Sequence, residues 1–184
     1  MQPTILNSEN TMLLIIDIQE KLLPAQFNKE AVLKNALALA ETCKILDIPM
    51  LVSEQYPRGL GGTVSELKKT LPDNTIYFEK VNFGCCNEEG FSELIKSFNK
   101  KQIIVCGMES HVCVHQTVYD LIQHGYEVHL IQDAISSRKE YEYKVGIERM
   151  KSYGAITSCS EMAIFELLQC AKNPNFKQVQ ALIK

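Results

Sequence analysis

The chain has 184 residues, 46% hydrophobic and 22% charged, enough apolar material for one globular domain over residues 1–184. A formal net charge of -3 with scattered Lys and Arg gives no basic stripe, so no nucleic-acid partner is expected. No stretch approaches the roughly 20 apolar residues of a membrane span, and "MQPTILNSENT" lacks a secretory pattern, so a cytoplasmic protein with no membrane partner is expected.

Apolar runs of strand length alternate with helical patterns along the chain. "MLLIID" (12 to 17) reads as a strand covered on both faces, followed by a helix over "EAVLKNALALAETCKIL". "IPMLVSE" (48 to 54) is the second strand. "GLGGTVSELKKTL" reads as a Gly-rich loop and a short helix that Thr63 or Ser65 could cap. "TIYFEK" (75 to 80) is the third strand, "EGFSELIKSFN" a helix, and "QIIVCGM" the fourth strand. "VCVHQTVYDLIQHG" reads as a helix closed by Gly125. "YEVHLIQDA" is the fifth strand, "EYEYKVGIERMKSYG" a helix stopped by Gly154, "AITSC" the sixth strand, and "SEMAIFELLQCA" the last long helix. The tail from Lys172 is polar and reads as a short or frayed helix. This alternation predicts an α/β fold with a six-stranded, mostly parallel sheet between helical layers. Ligands in such sheets bind outside the carboxyl ends of the strands.

Seven cysteines occur, at 43, 85, 86, 106, 113, 159 and 170, with no CxxC pair. An odd number without a secretory pattern points to free thiols, most of them small core residues. Cys43, Cys106 and Cys170 are expected to be buried. Cys85 and Cys86 are adjacent and could bridge each other only with strain. They follow "VNFG" on the predicted rim, where they would narrow a pocket or simply pack.

Three chemically complementary residues are predicted on that rim: Asp17 ending strand one, Lys80 ending strand three, and Cys113 after strand four at the start of a helix. A free thiol has a pKa of about 8.5, so a nearby ammonium and a helix N-terminus are expected to favour the thiolate. Asp17 opposes that by charge, and its useful role is to take and return the thiol proton. Singly, Asp17 could be a turn residue, Lys80 a surface charge and Cys113 a packed thiol. Their joint placement favours a site.

On "LLIIDIQ", "FEKVNFG", "VCGMESHVCVHQT" and "LIQDAISSR" the sequence resembles the isochorismatase-like cysteine hydrolases, from about Thr11 to Glu166. The resemblance implies a Rossmann-like three-layer α/β/α fold and a triad of Asp17, Lys80 and Cys113. It also implies a cis Met108–Glu109 peptide and an oxyanion hole from the backbone N–H groups of Glu109 and Cys113. Gln19, Phe83 and His111 are the candidate pocket residues. The implied activity is cysteine-dependent hydrolysis of a C–N bond in a small molecule through a thioester, without a cofactor, by a homo-oligomer.

A metal reading of His111, Cys113 and His115 competes. Metal-containing relatives carry an Asp-x-His after strand two, where this chain reads "SEQYPRGLGG", so no metal is expected. "RGLGG" lacks the Walker lysine, and "IQEKLLPAQ" after strand one lacks a dinucleotide fingerprint. "QYPRGLGG" reads instead as a mobile rim loop. A thiol redox or scavenging protein, or a binding module on a retired hydrolase site, is the alternative class. Turnover separates it from a hydrolase.

Overall fold

The computed structural model describes residues 4–184. Six strands form one sheet: β1 (Thr11–Ile16), β2 (Met50–Gln55), β3 (Ile76–Lys80), β4 (Gln102–Met108), β5 (Glu127–Ser136) and β6 (Ile156–Ser158). Their order is β3-β2-β1-β4-β5-β6, and every neighbouring pair is parallel. Parallel neighbours need crossovers, and the intervening segments supply them as helices.

The helices are α1 (Lys29–Ile45), α2 (Pro57–Leu60), α3 (Ser65–Thr70), α4 (Phe91–Ser97), α5 (His115–Gln123), α6 (Glu140–Ser152), α7 (Ser160–Leu168) and α8 (Phe176–Gln180). Side chains alternate across a strand, so β1 feeds two cores. Leu13 and Ile15 pack with α1 residues such as Val32, Ala36 and Leu39 and with Ile164 and Leu167 of α7. Met12, Leu14 and Ile16 pack on the other face with Phe91 of α4, Val118 and Leu121 of α5, and Ile147 of α6. All six β1 residues are buried, and each buried Leu or Ile contributes about 1.5–3 kcal/mol. The result is the three-layer α/β/α arrangement with helices on both faces.

One glycine fixes how closely β1 and β4 approach. Gly107 pairs with Ile16 at φ 123°, and a Cβ there would lie 2.0 Å from the Ile16 carbonyl oxygen. Only glycine fits that backbone and that gap.

Several local expectations change. β2 runs to Gln55, one residue further than the apolar run indicates. Glu54 in it is buried, and its Oε1 accepts from the Thr63 N–H (2.6 Å) and hydroxyl (2.7 Å). Thr63 is therefore committed to that carboxylate, Ser65 bonds Glu66, and neither caps α3. "QYPRGLGG" is not a free loop. Pro57–Leu60 is a helical turn with Pro at its start, held by the Gln19 amide on the Gly61 carbonyl (2.6 Å) and by Lys21 Nζ on the Gly59 carbonyl (2.8 Å). α7 ends at Leu168, so Cys170 lies beyond it and is exposed, whereas Cys43 and Cys106 are buried. Asp133 of "LIQDAISSR" holds the start of α7, its Oδ1 accepting from the Ser160 N–H (2.8 Å) and hydroxyl (2.9 Å). Among the described residues no helix is long and apolar enough to cross a membrane.

Candidate active site

The carboxyl ends of β1, β2 and β3 are adjacent, and polar side chains meet there. Asp17 follows β1 in a left-handed conformation, φ 54°, which a short polar side chain tolerates. Its N–H donates to the Ser53 carbonyl (3.1 Å), tying the turn to β2. The Asp17 Oδ1 accepts from the Ser53 hydroxyl (2.6 Å), and Oδ2 lies 2.8 Å from Lys80 Nζ. Both side chains of that ion pair are fully buried.

The Lys80 ammonium has four acceptors around it: Asp17 Oδ2, Gln55 Oε1 (2.6 Å), the Phe83 carbonyl (3.1 Å) and the Asn82 carbonyl (3.3 Å). Burial alone would make the ammonium easier to deprotonate. Asp17, with Cys85 and Cys113, more than offsets this, and the Lys80 pKa is raised. It remains a fixed cation whose side chain has no solvent contact.

Cys113 reaches the same set from β4. After Met108 the chain passes through a cis peptide to Glu109, then a π-helical turn, Ser110–Val114, before α5 begins at His115. Cys113 thus sits inside the wide turn rather than in the first turn of the α-helix. Its Sγ is 3.9 Å from Gln55 Oε1, the oxygen that also accepts from Lys80. Gln55 therefore bridges the ammonium and the thiol.

The expected thiolate is not the resting form. Burial pushes the Cys113 thiol up, the Asp17 charge adds to this, and Lys80 pulls the other way. Hydrogen bonding to Asp17 and the charge of Cys85 add smaller upward effects. Lys80 cannot offset them because its charge is already spent on Asp17 at 2.8 Å. A buried thiol beside a carboxylate is a proton donor to that carboxylate, not a free anion.

The other four anticipated residues are placed separately. The Glu109 N–H has no hydrogen-bond acceptor among the described residues, while its carboxylate turns to Arg138 Nε (2.9 Å). Phe83 presents an exposed ring, and its carbonyl serves Lys80. Gln19 is fully buried, its amide divided between the backbone of Gln55 and Gly61, so it braces the β2 end. His111 is part-exposed, with Nδ1 2.9 Å from the Ser137 hydroxyl and Nε2 3.7 Å from Glu142. Among the described residues no group of three or more His, Cys, Asp or Glu is arranged to hold a metal ion.

Three participants escape the sequence reading: Ser53, Gln55 and Thr117. Ser53 and Gln55 lie in the last three residues of β2, on one face of the strand, and strand position was the signal available for them. Thr117 lies one helical turn after Cys113, its hydroxyl donating to the Cys113 carbonyl (2.8 Å).

The isochorismatase domain model matches residues 11–162. Isochorismatase domain-containing protein 2 from Danio rerio is 38% identical over 179 residues, covering 97% of this chain and 89% of that protein. The structure of MAR1 ribonuclease from Caenorhabditis elegans superposes with a TM-score of 0.93 at 37% identity, covering 98% of this chain and 92% of that one. The YcaC gene product of Escherichia coli, described as an octameric hydrolase of unknown specificity, superposes at 0.91 with 26% identity over 100% of this chain and 91% of that one.

The ribonuclease name overturns the expectation that nucleic acid is excluded as a partner. Net charge governs long-range attraction. It does not bar a polynucleotide from local contacts at a cleft, so a value of -3 was too blunt a ground. With the match over residues 11–162 and the extent of these similarities, the chain belongs to the isochorismatase family, within the isochorismatase-like cysteine hydrolase superfamily.

Proposed function

We propose that the chain hydrolyses a C–N bond of a small, amide-like substrate, with Cys113 as nucleophile, Asp17 as general base and then acid, and Lys80 as the cation beside both. One observation carries this reading. Lys80 is bonded to Asp17 (2.8 Å) and to the Gln55 oxygen (2.6 Å) that lies 3.9 Å from Cys113 Sγ.

Asp17 takes the Cys113 proton as sulfur attacks the carbonyl carbon. The oxyanion is received by the N–H groups of Glu109 and Cys113. Asp17 returns the proton to the departing nitrogen, leaving a thioester on Cys113. Water then attacks the thioester, giving its proton to Asp17, and the acid departs as the thiol re-forms. Lys80 stays protonated throughout and stabilises the carboxylate and the developing negative charge.

The test is a screen of small amides and imides for release of ammonia or amine, run beside Cys113→Ala. Loss of turnover by about 10⁴-fold or more in the variant is expected. Undiminished turnover in Cys113→Ala contradicts the assignment. A thiol that is consumed without turnover would support the redox class instead. A labelled single-stranded RNA in the same screen tests whether the ribonuclease activity named for the Caenorhabditis elegans relative extends to this chain. Cleavage of RNA dependent on Cys113, with no amide turned over, would replace the amide reading.

A further inference from the structure

The chemistry above leaves one buried nucleophilic group beside the site unused. Cys85 opens the 3-10 turn Cys85–Asn87 and is a fully buried free thiol. The turn lies close against α5 because residue 84 is glycine. A Cβ there would come 3.3 Å from Gln116 Cβ and from Asp120 Oδ2, and 2.8 Å from Asn87 Nδ2.

A single hydroxyl then joins this turn to the Cys113 backbone. The Cys85 N–H donates to Thr117 Oγ1 (3.0 Å), and Thr117 Oγ1 donates to the Cys113 carbonyl (2.8 Å). The two cysteine backbones are thus two hydrogen bonds apart. Their side chains share one apolar cluster. Cys85 also faces Asp17 and Lys80, the ion pair that acts on Cys113. Cys86 differs, being only half-buried and facing Cys85 and Asp120 rather than the Asp17–Lys80 pair.

We propose that Cys85 is a resolving thiol for Cys113, the two closing a reversible disulfide when the protein meets a peroxide. In the first step Cys113, its proton taken by Asp17, attacks one oxygen of hydrogen peroxide. The O–O bond breaks, Cys113 becomes a sulfenic acid, and water leaves. In the second step the Cys85 sulfur attacks the Cys113 sulfur, the S–O bond breaks, and a second water leaves. Two thiols are oxidised by two electrons and one peroxide is reduced. The benefit is chemical: a sulfenic acid without a neighbouring thiol advances to the irreversible sulfinic acid. Closure requires the two Cα atoms to lie within about 7 Å, a local demand on a turn and a helix already joined through Thr117. The inference does not depend on amide hydrolysis: it uses the Cys113-to-Asp17 proton transfer of the proposed function but no amide substrate.

The experiment is titration of the full chain with hydrogen peroxide, alkylation of remaining thiols, and non-reducing peptide mapping by tandem mass spectrometry. A Cys85–Cys113 cross-link, removed by dithiothreitol, is expected. Cys86→Ser should leave it intact, whereas Cys85→Ser and Cys85→Ala should abolish it and send Cys113 to the sulfinic acid. The wild-type map is decisive even if a Cys85 variant does not fold. No cross-link at doses that oxidise Cys113, an unmodified Cys113, or a cross-link made by Cys86 in place of Cys85 each overturns the proposal.

Discussion

Without the Lys80 ammonium, Asp17 would be a buried carboxylate with no cation beside it, left with the Ser53 hydroxyl and the weakly donating Cys113 thiol. Lys80→Met should therefore lower the unfolding free energy by about 3–5 kcal/mol at neutral pH. Adding Asp17→Asn should restore much of that, since the uncompensated charge is then gone. Urea unfolding of the two variants checks both. The Cys113 thiol, pushed up by burial and Asp17, gives a kinetic expectation. Its alkylation by iodoacetamide should rise about tenfold per pH unit through the alkaline range, with exposed Cys170 labelled first at pH 6.5. A plateau in the Cys113 rate near neutral pH would mean a resting thiolate. Asp17, Lys80 and Cys113 were legible because each ends or follows an apolar run. Gln55 was not, because Glu54-Gln55 reads as the polar end of a strand. The direction of the thiol shift was not legible either. Spacing names a residue's neighbours but not how much water they exclude.

At the scale of elements, the β1–β4 contact depends on Gly107. Gly107→Ala places a Cβ 2.0 Å from the Ile16 carbonyl oxygen at a φ of 123°, so one strand must move. A loss above about 4 kcal/mol is expected, read as a fall in melting temperature or failure to fold. Thr117→Val removes the hydroxyl joining the Cys85 turn to the Cys113 carbonyl. It leaves a buried N–H unpaired and should cost about 1–3 kcal/mol by urea unfolding. The long elements were readable from period alone: β4 spans Gln102–Met108 and α1 spans Lys29–Ile45, within a residue of the expected bounds. The short ones were not. "PRGL" carries a proline and a glycine that read as loop, yet Pro57 occupies the first position of a helical turn that Gln19 and Lys21 hold in place.

At the scale of the whole molecule, buried thiols make stability depend on alkaline pH. Cys85 is pushed up to about 11, and Cys43 and Cys86 to about 12, each chiefly by burial. An unfolded thiol titrates near 8.5. Raised values mean that the unfolded chain gives up its protons first. The contribution is whole below about pH 8.5 and is lost as pH rises towards the folded values. Between about pH 8.5 and about pH 10 each fully buried thiol should lose on the order of 2 kcal/mol, seen as a falling urea midpoint. Lys80, also raised, adds a loss in the same direction above about pH 10.4. The parallel α/β architecture was legible because strand and helix patterns alternate throughout. Partners were not, since whole-chain charge averages over local surface and says nothing of any one site.

The most direct test of Cys113 as the hydrolytic nucleophile is acid quench during turnover of an amide found in the screen, followed by peptide mapping. An acyl group on Cys113, absent in Asp17→Asn, is the expected result. Turnover with no Cys113 adduct, together with full activity in Cys113→Ala, would contradict it.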